Sequence, residues 1–297
     1  MAFTPGAVFA ASGSVAVPVL LDVTAPGDYS GATPFANLGD SSAGQIAWSG
    51  DLNTAYVSLY GSGTVVAVSS SGTVTTFATG LSGPTGLAFN SSGQLLVAEF
   101  GSGEVTDISA GGDFSAAPPF ASGLSGPRNM LLLPSGQLFV AEQSSGEVTD
   151  ISGGGNFAAT PPYASGLASP TDLVRTSTGT TYVLEVSNGE VTPLSAGSLA
   201  SVAPFAFGVT ATGMTIDGAN RLLVLSHGGG VVYDASAGGD YSSSIFAFNL
   251  PLFGESAFDT VPPPNATLTA TIDLSGNLVV TDADGTKNNQ FTAKVVS

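Results

Sequence analysis

Apolar residues along this 297-residue chain come in short runs, each closed by Gly, Pro, Asn or Ser. Residues 86–89 (Gly-Leu-Ala-Phe) form one run, and Asn90-Ser-Ser-Gly is a turn. Residues 94–100 (Gln-Leu-Leu-Val-Ala-Glu-Phe) form a second, followed by Gly101-Ser-Gly. Residues 104–109 (Glu-Val-Thr-Asp-Ile-Ser) alternate apolar and polar, as a half-buried strand does. A Gly-rich loop at 110–118 leads to a last short strand, Pro119-Phe-Ala-Ser-Gly-Leu. The runs are too short for helices, and Gly or Pro interrupts them every ~8–10 residues.

The pattern repeats. An aromatic-Ala motif begins at Phe35, Phe77, Phe120, Tyr163, Phe205 and Phe246, and beyond the first copy the steps are 43, 43, 42 and 41 residues. Four short strands per ~43 residues is the period of a β-propeller blade. The expectation is an all-β fold, residues 1–297 forming one propeller of seven blades, with six blades plus an extra hairpin as the alternative. The termini would meet in or beside the closing blade. Residues 251–265 interrupt the repeat and read as an inserted link between blades, able to cap the channel or to make an interaction surface.

Composition fits this picture. The chain has 40 Gly, which suits many tight turns needing positive φ. Only 9% of residues are charged, as expected where both faces of each blade are buried. Five basic residues against 22 acidic ones give a net charge of −17, which argues against nucleic acid and anionic membrane partners. With no Cys, disulfides, thiolate chemistry and Cys-type zinc sites are excluded. No apolar run reaches the ~18 residues of a membrane-spanning helix. The N-terminal residues lack a basic region, Arg128 being the first basic residue, so they do not read as a signal peptide. The scarcity of Lys with abundant Ser, Thr and Gly points to an exported protein, periplasmic or extracellular, with a cytoplasmic one as the alternative.

The segments 83–99 (Gly-Pro-Thr-Gly-Leu-Ala-Phe-Asn-Ser-Ser-Gly-Gln-Leu-Leu-Val-Ala-Glu), 126–142 and 272–282 resemble the NHL-type repeats of bacterial propellers. The architecture this implies is that of the SMP-30 and virginiamycin lyase-like superfamily. That superfamily holds lactonases, lyases and pure binding modules, so the resemblance speaks to fold more than to chemistry. Its calcium-assisted lactonases place acidic and Asn ligands at the channel mouth. Here Asn129 and Asp172, both near the start of an innermost strand, are the best-matched pair. The lyases use His and Glu with magnesium, and this chain has one His.

Three constellations could carry chemistry. Glu99, Glu142 and Glu185 recur 43 residues apart at the end of the second strand, predicting an acidic ring that could hold a divalent cation. They fit duplicated turn residues equally. His227 occupies the corresponding place in a later unit and, with Glu185, is a weak catalytic candidate. The loop between third and fourth strands carries the pairs Asp22 and Asp28, Asp107 and Asp113, Asp150 and Asn156, Asp234 and Asp240, six residues apart around a Gly turn. These could make a weak Ca2+ site with backbone carbonyls, or ordinary Asx turns.

Two functions follow. The first is a non-catalytic binding or structural module presenting its loop faces to a protein, a glycan or copies of itself. The alternative is a divalent-metal-assisted hydrolase, lactonase-like, or a lyase acting at the channel mouth.

Overall fold

In a computed structural model, the described residues are 2–11, 19–28, 30–39, 42–226, 230–248, 250 and 257–261, with strands at 268–272, 277–282 and 291–294. Met1–Val261 and Pro262–Ser297 are two compact units. The second contains a three-stranded antiparallel sheet of Leu268–Ile272, Asn277–Asp282 and Phe291–Lys294. Among the described residues no helix is long and apolar enough to cross a membrane.

The first unit is a propeller of six blades, not seven. Blade 1 takes its innermost strand from the far end of the unit: Ala257–Thr260 pairs antiparallel with Val8–Ala11, followed outward by Val19–Asp22 and Ala36–Asn37. Blades 2 to 6 begin with innermost strands Ala43–Trp48, Pro84–Phe89, Pro127–Leu132, Pro170–Arg175 and Ala211–Ile216. The seven-blade expectation counted residues after 261 as a blade, whereas their three strands form a sheet of a separate unit. Within 251–265, read as a link, Ala257–Thr260 is the strand that closes the ring.

Hydrophobic clusters form between blades. One joins Ala88, Leu96 and Val105 of blade 3 to Met130, Leu138 and Val140 of blade 4. Each blade therefore buries its faces only by having neighbours, and closure is part of the stability of every blade.

The aromatic-Ala-x-Gly repeat has a structural cause. In the 3–4 loops of blades 3 to 6 a two-residue strand crosses to the preceding blade and pairs parallel with its fourth strand: Gly112–Asp113 on Val74–Thr79, Gly155–Asn156 on Ala121–Ser122, Gly197–Ser198 on Ala164–Ser165 and Gly239–Asp240 on Ala206–Phe207. Gly27–Asp28 of blade 1 does the same to Ile245–Phe248 of blade 6, across the seam. The motif's Ala pairs with a valine of the third strand on one side and with this strap glycine on the other, as Ala121 does with Val105 and Gly155, and it is buried.

Candidate functional site at the channel mouth

Five innermost strands carry a register shift near their N-terminal ends, between Ala43 and Ile46, opposite Val97 to Glu99, between Pro127 and Met130, between Pro170 and Asp172, and between Ala211 and Gly213. Bulges release side chains from the ladder and re-aim them. The freed residues line a cavity of about 150 Å³, with Gln45, Thr85, Arg128, Asn129, Asp172 and Thr212 on its walls. Such a volume suits a small ligand; an engineered cavity of about 150 Å³ binds benzene.

Polar contacts between blades run around this mouth. Ser58 Oγ donates to the Thr85 carbonyl, and Thr85 Oγ1 donates to the Pro127 carbonyl at 2.9 Å. Asn129 Nδ2 donates to Asp172 Oδ1. Asp172 also accepts from its neighbour Leu173 N at 2.8 Å and, across to blade 6, from Met214 N at 2.7 Å. Thr215 and Thr260 hydroxyls meet at 2.9 Å, linking blade 6 to the closing strand.

Asp172 is 3% exposed. Burial, with a smaller contribution from the charge of Asp259, pushes its carboxyl up to about 8 against the pull of the Met214 and Leu173 N–H groups. Asp259 stands half-buried on the closing strand, accepting from Thr260 N at 2.7 Å and Thr215 Oγ1 at 3.5 Å. Its burial among protein atoms likewise raises its carboxyl, to about 7. The two carboxyls are both raised, mainly by burial. Arg128 is held in place at the mouth: its Nε donates to Gln143 Oε1 at 2.6 Å and its guanidinium lies over the Phe100 ring at 4.5 Å.

A buried hydroxyl at this site lacks a partner. Thr212 Oγ1, on the cavity wall, makes no hydrogen bond. The cavity lining brings together the Asn129 amide, the Asp172 carboxyl and the Thr212 residue, whose oxygens are hard donors. Such donors fit Ca2+ or Mg2+ and not a thiolate-seeking metal.

The other sequence candidates are placed differently. Glu99, Glu142 and Glu185 are buried in the blades. Glu99 accepts from Ser82 N at 2.6 Å and Thr106 Oγ1 at 2.5 Å. Glu142 accepts from Ser125 N at 2.6 Å and from Thr149 Oγ1, and Glu185 from Ala168 N at 2.5 Å and from Thr192 Oγ1. Each ties the incoming inter-blade link to the third strand of its blade. His227 lies outside the described residues.

The loop pairs are engaged member by member. Asp22, Asp107, Asp150 and Asp234 each accept from the backbone N–H and hydroxyl of the Thr or Ser two residues on. Asp28, Asp113, Asn156 and Asp240 accept from the backbone N–H two residues on. These are Asx turns that shape the strap. Among the described residues no group of three or more His, Asp or Glu side chains is clustered for a metal ion. Sequence reading missed Asp259, because it lay in the stretch taken as a link.

No family model matches the chain, and no curated protein matches it. Solved structures do. A gluconolactonase from Xanthomonas campestris is 15% identical, over 94% of this chain and 92% of that one, with a TM-score of 0.54. The shared architecture is a β-propeller. A Thermus thermophilus protein described as an oxidoreductase (glucose dehydrogenase) is 17% identical over 84% and 93% of the two chains, with a TM-score of 0.52. Virginiamycin B lyase from Staphylococcus aureus is 14% identical over 86% and 84%, with a TM-score of 0.47. At these identities the likeness concerns the fold.

Proposed function

We propose that the protein is a hydrolase acting on a small polar ester or lactone at the channel mouth, assisted by a divalent cation. The observation that carries this reading is Asp172: a carboxylate fixed by three hydrogen bonds, buried on the channel wall, with a second carboxylate near enough to raise it. Strongly perturbed carboxyls in a cleft mark functional sites more often than ordinary surface. The Xanthomonas neighbour of the same fold is a gluconolactonase, which agrees with the substrate class.

Asn129 and Asp172 would hold the cation. When bound, it would polarise a substrate carbonyl as a Lewis acid. The chain's own groups do the rest. Asn129 and Met214 N orient the Asp172 carboxylate, so that its charge stays in one place. Thr212 offers a free hydroxyl to a ligand oxygen. Arg128, pinned by Gln143 and Phe100, supplies positive charge at the rim of an otherwise acidic chain. The test is a panel of small lactones and esters assayed with and without Ca2+, Mg2+ and Mn2+, in the native chain and in Asp172→Asn. Turnover that needs a cation and falls at least a hundredfold in the variant supports the reading. No turnover of any member, with no cation bound, refutes it.

A second reading, the non-catalytic module presenting a face to a protein, a glycan or another copy, draws on a different observation. Phe207, Ile245 and Phe248 are exposed on the outermost strands of blades 5 and 6. Light scattering on the native chain and on Phe248→Ser would reveal self-association through that edge.

A further inference from the structure

The turn between first and second strands is built alike in blades 2 to 6. The residue that donates its N–H back to the carbonyl opening the turn has positive φ. It is Gly93, Gly136 and Gly179 in blades 3 to 5 and Asn220 in blade 6, but Leu52 in blade 2, at φ +54°. A Leu in this conformation is strained. Leu52 is nonetheless buried, in one cluster with Phe3 and Trp48, and its carbonyl accepts from Phe3 N at 2.7 Å. The Phe3 ring meets Trp48 at 4.9 Å, Phe35 at 5.4 Å and Phe9 at 5.6 Å. Packing with Phe3 is what the strained turn gains.

Three residues further on, the same segment meets the strand that closes the ring. Gly6 N donates to the Val261 carbonyl at 2.9 Å and Val261 N to the Ala7 carbonyl at 2.8 Å, just past the four residue pairs between Ala257–Thr260 and Val8–Ala11. Gly6 also lies against Gly218, in the corresponding turn of blade 6. A Cβ on Gly6 would stand 3.1 Å from Gly218 Cα, and one on Gly218 would stand 2.9 Å from Gly6 Cα. Residues 3–6 thus run from the turn of blade 2, past the closing strand, to the turn of blade 6. These turns follow the C-terminal ends of the innermost strands, whereas the mouth lies near their N-terminal ends. The closing strand reaches blade 1 from the far end of the unit, so noncovalent contacts alone seat it there. Its Phe258 is a wall of the mouth cavity.

We propose that residues Phe3–Gly6 are a clasp, anchored on Leu52 at one end and Gly218 at the other, that keeps the ring-closing strand seated and with it the Phe258 wall of the mouth. When the clasp lets go, blade 1 loses its innermost strand while the other blades keep theirs, a local opening of the kind that precedes global unfolding. No cation takes part, so the clasp stands apart from the functional reading above.

Amide hydrogen exchange on the full chain tests this, in the native protein, Phe3→Ser and Gly218→Ala. Gly218 does not have positive φ, so its Ala variant acts through the close approach to Gly6 and leaves Phe3 and the strand pairing untouched. Peptides covering 257–261 and 7–11 should exchange at least about tenfold faster in both variants. Peptides from the innermost strands of blades 3 and 4 should change less than about twofold. If Phe3→Ser does not fold, Gly218→Ala decides alone, and in the native protein the seam peptides should already exchange ahead of those from blades 3 and 4. Unchanged seam exchange in a folded variant, or equal acceleration in every blade, overturns the clasp.

Discussion

Asn156 Oδ1 lies 2.7 Å from where a side chain on Gly123 would begin. Gly123 ends the fourth strand of blade 3, and Asn156 belongs to the strap that blade 4 lays upon it. Gly80 receives Asp113 in the same way, one blade earlier. The repeated glycine is thus a socket for the next blade's strap, and it also needs positive φ, +75° at Gly123. Gly123→Ala should destabilise by about 1–3 kcal/mol through strain and displacement of the strap. A thermal melt with a decrease of several degrees would agree, while an unchanged melting temperature would show that the strap adds nothing.

The buried glutamates have an equally local task. Glu142→Ala leaves Ser125 N and the Thr149 hydroxyl without their acceptor inside the protein. The loss should be about 1–3 kcal/mol, the usual cost of a stranded buried donor. Glu142→Gln keeps one acceptor oxygen and should recover part of it. Urea unfolding of the three proteins checks the order. Divalent cation binding should be the same in all three, since Glu142 is used within its blade.

Much of this fold was legible in the sequence. The 43-residue repeat, the four short strands and the turns follow from alternation and from Gly and Pro, which act within a few residues of where they stand. Blade number was not legible, because Ala257–Thr260 pairs with Val8–Ala11 across nearly the whole propeller, and strand pairing at that distance leaves no local mark. The same reason hid Asp259. Asn129 and Asp172 were visible as a pair, since both stand near the start of an innermost strand. What the sequence could not distinguish was a repeated acid that serves a turn, such as Asp107 bonded to Ser109, from one that faces the channel.

Stability should depend on pH in a characteristic direction. In an unfolded chain aspartate titrates near ~3.9. Folded Asp172 and Asp259 are raised to about 8 and about 7. Between these limits the folded protein keeps protons that the unfolded chain has released, so raising the pH favours unfolding. The stabilising contribution of the pair is complete below pH ~4 and is gone above pH ~8. The lowered aspartates act oppositely below pH ~4, led by Asp51 at about 2, but Asp51 is exposed and adds little. Denaturant melts in EDTA from pH 4 to 9 should show falling stability through this window, and saturating Ca2+ should flatten the slope. A rise in stability across the window would contradict the placement of the pair.

The most direct test of a cation-assisted site at the channel mouth is calorimetric titration of Ca2+ into the metal-stripped chain at pH 8, beside Asp172→Asn. The account predicts one cation per chain in the native protein, with affinity reduced at least a hundredfold in the variant. Absence of binding in the native chain, or equal binding in both proteins, would contradict it.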